Sequence, residues 1–447
     1  MYHSVQIILR HVYTERRYHM KLRFYNAQIL TMESTEIFSG EVHTDGDTII
    51  YVGKEKKDGS FDREINLCGN LIMPSFKNAH THSAMTFLRS YADDMPLNDW
   101  LFKQVFPMED KLTPDDVYEL TKLAALEYFS GGTTAALDMY FHPDRVIEAA
   151  VETGLRIVIC GAVSGGSNQA DYDSALSRLE DYHKRFNGMD PLVSFKMGFH
   201  AEYTTDISIL KGIAELARSF RQPLYTHNSE TANEVQGCIE RHGKTPTALF
   251  EELGMFEYGG GGFHCVHMTD EDLDIFRRRG LWAVTNPCSN CKLASGIAPL
   301  DRMNAMGINL AIGTDGPASN NALDMFREMY LASVLQKVRE NNAAAMPAEA
   351  VLKAAVSGGA LAMGLTDCDV LAEGKKADMM VIDMNRPNMQ PVNNTVKNLV
   401  FAGTRDNVKM TVSGGAIVYE DGKFPSLDAE KIYFEANRII GEKRKAN

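Results

Sequence analysis

The chain has 447 residues, 44% hydrophobic and 23% charged, the balance of a globular protein with a sizeable core. No apolar stretch is long enough to cross a bilayer, and a formal net charge of -13, with 59 acidic against 46 basic side chains, lacks the basic surface that nucleic acid requires. Seven cysteines, an odd number at irregular spacing, do not make a disulfide framework and fit a reducing compartment, so a cytoplasmic protein is expected.

Residues 1–19 (MYHSVQIILRHVYTERRYH) are basic and stand apart, with an apolar segment too short and too interrupted for a secretory signal. A start at Met20 would remove them, and a loosely held extension is expected. From 20 to 73, alternating runs broken by Gly, Asp and Asn (LRFYNAQILTM, TIIYVG, EINLCGNLIMP) predict small antiparallel strands. Residues 366–425 repeat that style, so the two ends are expected to pair into one composite β-sandwich.

Between them, over 74–365, eight apolar or β-branched runs alternate with helix-length amphipathic segments. The runs are LIMPSF, TTAALDMY, LRIVICGAV, LVSFKMGF, PLYTH, GGFHCVH, LWAVTN and INLAIGTD. One helix is predicted from Thr113 as N-cap, with Pro114 at its first position and Asp115 and Asp116 in its first turn, to Gly131 and Gly132. Another opens at Thr269, with Asp272 completing a capping box. Eight βα units predict an α/β fold, a TIM-type (β/α)8 barrel inserted in the sandwich, with its site at the carboxyl ends of the strands. Residues 426–447 are expected to form a C-terminal helix.

In His80-Thr81-His82 the alternation of a strand puts both imidazoles on one side, where one metal can take both. Alone the pair is a weak signal, because imidazoles are also satisfied by core hydrogen bonds. Here it follows the first strand candidate, while His227, His264 and Asp315 end the fifth, sixth and eighth, so five metal-capable side chains converge on one mouth. Nitrogen and carboxylate ligands with one open position suit a catalytic zinc, and iron or manganese accept the same set. One divalent metal per subunit is expected, lowering the pKa of a bound water toward neutrality. Glu230, three residues beyond His227, returns beside this cluster as the chain leaves the strand. Its expected role is general acid and base, with a carboxyl pKa raised by desolvation; at an isolated helix N-terminus it would merely stabilise the dipole.

The segments NAHTHSAMTFLRSYADDMPLNDWLF, MEDKLT, FHAEYT, THNSET, HCVH, NPCSN, KLASGIAP and GTDGPASNN, in this order between about Lys21 and Phe424, closely resemble the amidohydrolase superfamily. The likeness is to its 5'-methylthioadenosine/S-adenosylhomocysteine deaminase and chlorohydrolase branch. It implies one zinc held by His80, His82, His227 and Asp315, with His264 and Glu230 acting on the substrate and the water. It also implies that Glu109 binds ribose hydroxyls, that His200 contacts the nucleoside, and that Trp100 and Ser319 line the pocket. The implied reaction is hydrolytic deamination: Asp315 takes a proton from water, His264 stabilises the new oxygen, and Glu230 protonates the ring nitrogen and then the leaving amine. The partner is a small-molecule nucleoside, with neither nucleic acid nor membrane, and the resemblance implies a homo-oligomer, dimer or tetramer. Two other readings compete: a guanine, pterin or triazine hydrolase would keep the metal set, and a non-catalytic scaffold would keep only the fold.

Three places depart from the family pattern. Ser75 and Lys77 replace glycine and isoleucine before the His pair, a change expected to alter only packing. The segment Cys160 to Gln169 has no arginine to hold a homocysteine carboxylate; Arg156 precedes it and Arg178 lies well past it, so small 5' substituents are expected to be preferred. Cys288 and Cys291 form a CxxC after the seventh strand with no second ligand pair evident from spacing. His267 is read as structural, His142 and His183 as surface or loop residues, and Asp93 and Asp94 as a solvated turn or an arginine partner.

Overall fold

The structure, a computed structural model, describes residues 20–54, 56 and 58–445. The expected extension over residues 1–19 lies outside the described residues. The first five strands are β1 (Lys21–Leu30), β2 (Ile37–Asp45), β3 (Thr48–Gly53), β4 (Arg63–Asn66) and β5 (Leu71–Pro74). Eight more, β6 (Phe76–Thr81), β7 (Thr133–Asp138), β8 (Arg156–Cys160), β9 (Val193–Gly198), β10 (Leu224–Asn228), β11 (Gly260–His264), β12 (Trp282–Thr285) and β13 (Asn309–Ile312), form one parallel sheet in sequential order. The last three are β14 (Met379–Ile382), β15 (Val408–Ser413) and β16 (Ala416–Glu420), which join the first five in the order β16-β15-β14-β5-β1-β2-β3, with β4 beside β1. The segments before and after the barrel therefore share one sheet, one face of which packs in an apolar cluster that includes Phe24, Ile29, Val42, Ile65, Ile72, Val381 and Met410.

The parallel sheet is the (β/α)8 barrel. Its first and last strands close through side chains: Asn78 Nδ2 donates to Thr314 Oγ1 at 2.7 Å, and Asn78 Oδ1 accepts the Thr314 N–H at 2.9 Å. Gly313 permits this approach, since a Cβ there would sit 2.6 Å from the His80 nitrogen. The interior is filled by Ala79, Leu137, Val158, Tyr225, Phe263 and Val284, and Ala362 and Met363 join the same cluster from the helical turn Gly359–Met363. A buried ion pair ties barrel to sandwich: Arg156 donates from Nε and Nη2 to Asp378 Oδ2 at 3.1 and 3.0 Å.

The helix Pro114–Ser130 opens with the capping box between Thr113 and Asp116, and Asp270–Arg279 opens with the one between Thr269 and Asp272. The closing helix, Ala429–Lys445, is anchored to the first of these by an ion pair from Lys443 to Asp116 at 2.7 Å.

One expected barrel strand divides. Of LIMPSF, residues 71–74 belong to the sandwich, between β1 and β14, while the barrel strand starts at Phe76 and contains His80. Every residue from Leu71 to Leu88 is buried, so no alternation marks the crossing at Ser75. Ser75 and Lys77, expected to affect packing alone, are a matched pair. The fully buried Lys77 ammonium donates to the Ser75 carbonyl at 3.0 Å and hydroxyl at 2.6 Å, and the Ser75 hydroxyl also pairs with Thr134 at 2.6 Å.

Candidate active site

At the carboxyl mouth of the barrel, His80 comes from β6, His82 from just beyond it, His227 from β10, and Asp315 from three residues past β13. Their four ligand atoms lie within 4.8 Å of one another, and all four residues are buried. Asp315 is held in the left-handed region, φ 59°, a strained backbone of the kind that survives where a side chain must be aimed. Its Oδ1 faces His80 Nε2 at 3.5 Å and His82 Nε2 at 3.2 Å.

The donor set fits a divalent ion. His82 Nδ1 donates to the Met139 carbonyl at 2.6 Å and His227 Nδ1 donates to the His200 carbonyl at 2.8 Å, which turns each Nε2 toward the cluster; against the opposing effect of burial, Asp315 raises the His82 pKa to about 9, a proton that a bound ion would displace. Both ring nitrogens of His80 are buried without a hydrogen bond, and its ring stacks on Phe263 with centroids 3.8 Å apart. Burial holds the His80 pKa down to about 3 and the His227 pKa well below its ordinary value, so both stay neutral donors. His82, His227 and Asp315 also face a cavity of about 300 Å³, which leaves access for a small molecule.

Glu230 and His264 stand beside this cluster. His264 ends β11 at φ 69°, its Nδ1 donates to Asn290 Oδ1 at 2.7 Å, and its Nε2 has no partner, lying 3.8 Å from Glu230 Oε2. Glu230 accepts from Ser295 Oγ at 3.1 Å, and burial above all raises its pKa. Glu234 holds the turn that carries it, accepting the backbone N–H groups of Ser229 and Glu230 at 2.9 and 2.7 Å. That turn leaves β10 with Ser229 at φ 54°, which brings Glu230 back over the mouth.

The cavity is walled by Trp100, Glu109, Tyr140, His200 and Tyr203 in addition to the cluster. Trp100 and Glu109 flank a π-helical turn, Leu101–Val105. Burial raises the Glu109 carboxyl to about 7 and lowers His200 to about 4. Ser319, expected in the pocket lining, instead spends its hydroxyl on Asp315 Oδ2 at 2.8 Å and is 1% exposed. Four further residues, which no spacing in the sequence singles out, support the site. Ser289 donates to the same oxygen at 2.6 Å, Asn290 holds His264, Ser295 holds Glu230, and Tyr140 lines the wall. The first two lie between Cys288 and Cys291 in PCSNC, where the cysteines draw attention and the residues between them do the positioning.

A second cavity of about 490 Å³ shares Glu109, Tyr140, Phe141 and Ala162 with the first. Arg178 lines it. Set aside because of its distance along the chain, Arg178 comes beside the site because the helix Gln169–Phe186 runs back along the barrel. Among the described residues no carboxylate pairs with it; its Nε donates to the Ser174 carbonyl at 3.2 Å. Asp93 pairs with Lys292 rather than with an arginine, and His267 Nε2 donates to the Ser295 carbonyl at 2.7 Å.

Residues 71–418 match the amidohydrolase family. The chain belongs to that family. As an amidohydrolase it is a hydrolase acting on carbon–nitrogen bonds other than peptide bonds. It is 37% identical over 422 residues to the 5-methylthioadenosine/S-adenosylhomocysteine deaminase of Caldanaerobacter subterraneus subsp. tengcongensis, covering 94% of this chain and 98% of that one. To the enzyme of the same name from Desulfovibrio desulfuricans it is 42% identical over 372 residues, 83% of this chain and 84% of the relative. The crystal structure of an adenosine deaminase from Xanthomonas campestris with bound zinc superposes with a TM-score of 0.90 at 29% identity, over 96% of this chain and 99% of that one. The atrazine chlorohydrolase of Arthrobacter aurescens TC1, at 21% identity and a TM-score of 0.87 over 94% of this chain and 100% of that one, shares the fold. Among the described residues no helix is long and apolar enough to cross a membrane.

Proposed function

We propose that this amidohydrolase is a metal-dependent deaminase of adenosine-type nucleosides, releasing ammonia and an inosine-type product. The observation that carries the reading is one juxtaposition: a buried carboxyl, Glu230, and an unpartnered imidazole nitrogen, His264 Nε2, stand 3.8 Å apart beside the cluster of three histidines and Asp315. The names of the relatives and the zinc of the Xanthomonas enzyme support it.

His80, His82, His227 and Asp315 would hold the ion, zinc foremost with iron or manganese as substitutes, and it supplies a Lewis acid that makes water nucleophilic at neutral pH. Asp315 accepts the proton that the attacking water gives up. Glu230, whose pKa burial raises, acts in its acid form and delivers that proton to the ring nitrogen beside the reacting carbon. His264 Nε2 hydrogen-bonds the oxygen that arrives at that carbon. Glu230, left as a carboxylate, takes the proton of the new hydroxyl as that oxygen becomes a carbonyl and hands it to the departing amine, a step that a chloride leaving group would not need; the proton held by Asp315 returns to Glu230.

In this reading Glu109 accepts the ribose hydroxyls, His200 and Trp100 contact the nucleoside, and Ser319 acts through Asp315 rather than on the substrate. The 5' substituent points to the second cavity, where Arg178 offers a carboxylate partner, so the range extends from 5'-methylthioadenosine, 5'-deoxyadenosine and adenosine to nucleosides with an acidic tail. The test is an ammonia-release screen over these nucleosides, S-adenosylhomocysteine, guanine and triazines, with Glu230→Gln as control. Turnover confined to guanine or triazines would overturn the reading.

A further inference from the structure

One polar group of the cavity wall has no role in the proposed chemistry. Tyr140 follows β7 by two residues and is 5% exposed, yet its hydroxyl is buried without a hydrogen-bond partner. Glu109 Oε1, in the same wall, is also without one. Both residues line both cavities, so they stand at the boundary between the His and Asp cluster and the chamber of Arg178. The phenol ring is fixed there, its centroid 6.5 Å from that of His82 and 5.2 Å from that of Phe141. Burial, reinforced by the charge and the proximity of the Glu109 carboxyl, keeps the phenol protonated and so a donor. The acceptor beside it is the Glu109 carboxyl, which does not meet it in good hydrogen-bond geometry among the described residues, an unfavourable arrangement that a ligand can complete.

We infer that the Tyr140 hydroxyl is a substrate contact, bonding a ribose hydroxyl of the nucleoside whose diol Glu109 accepts. The chemistry is complementary. A ribose hydroxyl both donates and accepts, the Glu109 carboxyl offers its oxygens as acceptors, and the phenol adds a donor that does not depend on the protonation of Glu109. Tyr140 would thereby select ribonucleosides against deoxy analogues, because removing the sugar oxygen strands the phenol again. The inference rests on the nucleoside reading above.

The test compares wild type and Tyr140→Phe on adenosine, 2'-deoxyadenosine and 3'-deoxyadenosine, by kcat/KM, alongside thermal unfolding of both proteins. The variant is expected to lose roughly tenfold on adenosine and to match wild type on one of the two deoxy substrates. Its melting temperature should be little changed, since no well-formed hydrogen bond holds the hydroxyl. Equal losses on all three substrates, no loss on any, or a lowered melting temperature with a uniform loss would each overturn the contact. A metal-loaded wild type that releases no ammonia from adenosine-type nucleosides removes the nucleoside reading, and this inference with it. An active wild type with an unimpaired Tyr140→Phe removes this inference alone.

Discussion

Ser289 donates a 2.6 Å hydrogen bond to Asp315 Oδ2, while Oδ1 of the same carboxylate faces His80 and His82. One oxygen is tied to the protein and the other is presented to the cluster, so the serine sets the direction of a candidate metal ligand. Ser289→Ala is expected to weaken metal binding by roughly 10- to 100-fold, with Ser319 retaining part of the orientation. Competition with a chelator, followed by metal content, measures this; unchanged retention would leave Ser289 without that role.

Glu230→Gln keeps the shape and removes the proton. A loss of roughly 10²- to 10⁴-fold in kcat is expected, with metal content unaltered. The pH profile carries the sign. An acid must be protonated, and the Glu230 pKa is raised by burial, so the wild-type rate falls as pH rises through that raised value, whereas the residual rate of the variant lacks that limb. A Gln variant with the wild-type rate and profile would exclude Glu230 as the acid.

Arg178→Ala separates two classes of substrate. It should raise KM for S-adenosylhomocysteine by roughly tenfold or more and leave 5'-methylthioadenosine unchanged, because only the former carries a carboxylate for the guanidinium. Parallel changes on both would place Arg178 outside the substrate's reach.

Glu328 links stability to the same region. Fully buried, it accepts the Cys288 N–H at 3.0 Å at the head of the helix that bears Ser289, and burial raises its pKa from 4.5 to about 7. With the folded value above the unfolded one, its contribution is fully present below about pH 4.5 and is lost as pH rises through about 7. The melting temperature should therefore fall between pH 5 and pH 8, and less so in Glu328→Gln. Identical slopes in the two proteins would refute the assignment.

The order of the barrel and the positions of the cluster were legible because each metal-capable residue ends or follows an apolar run, and His80, His82, His227, His264 and Asp315 lie at that mouth. The division of LIMPSF was not, because residues buried on every side show no period to mark where one sheet yields to another. The residues that orient the cluster were also hidden. Ser289 and Asn290 act 26 residues along the chain from their partners, through a short helix whose cysteines are the conspicuous feature. That Arg178 lines the adjoining cavity was hidden for a related reason: distance along a helix that folds back over a barrel says little about distance from its mouth.

The central claim meets its most direct test in one measurement: ammonia released from 5'-methylthioadenosine by protein of known metal content, before chelation, after it, and after zinc is restored. About one divalent ion per chain is expected, with ammonia equal to the inosine-type product, activity lost on chelation and recovered with zinc. Full activity in metal-free protein, or no ammonia from any adenosine-type nucleoside with zinc bound, would contradict the account.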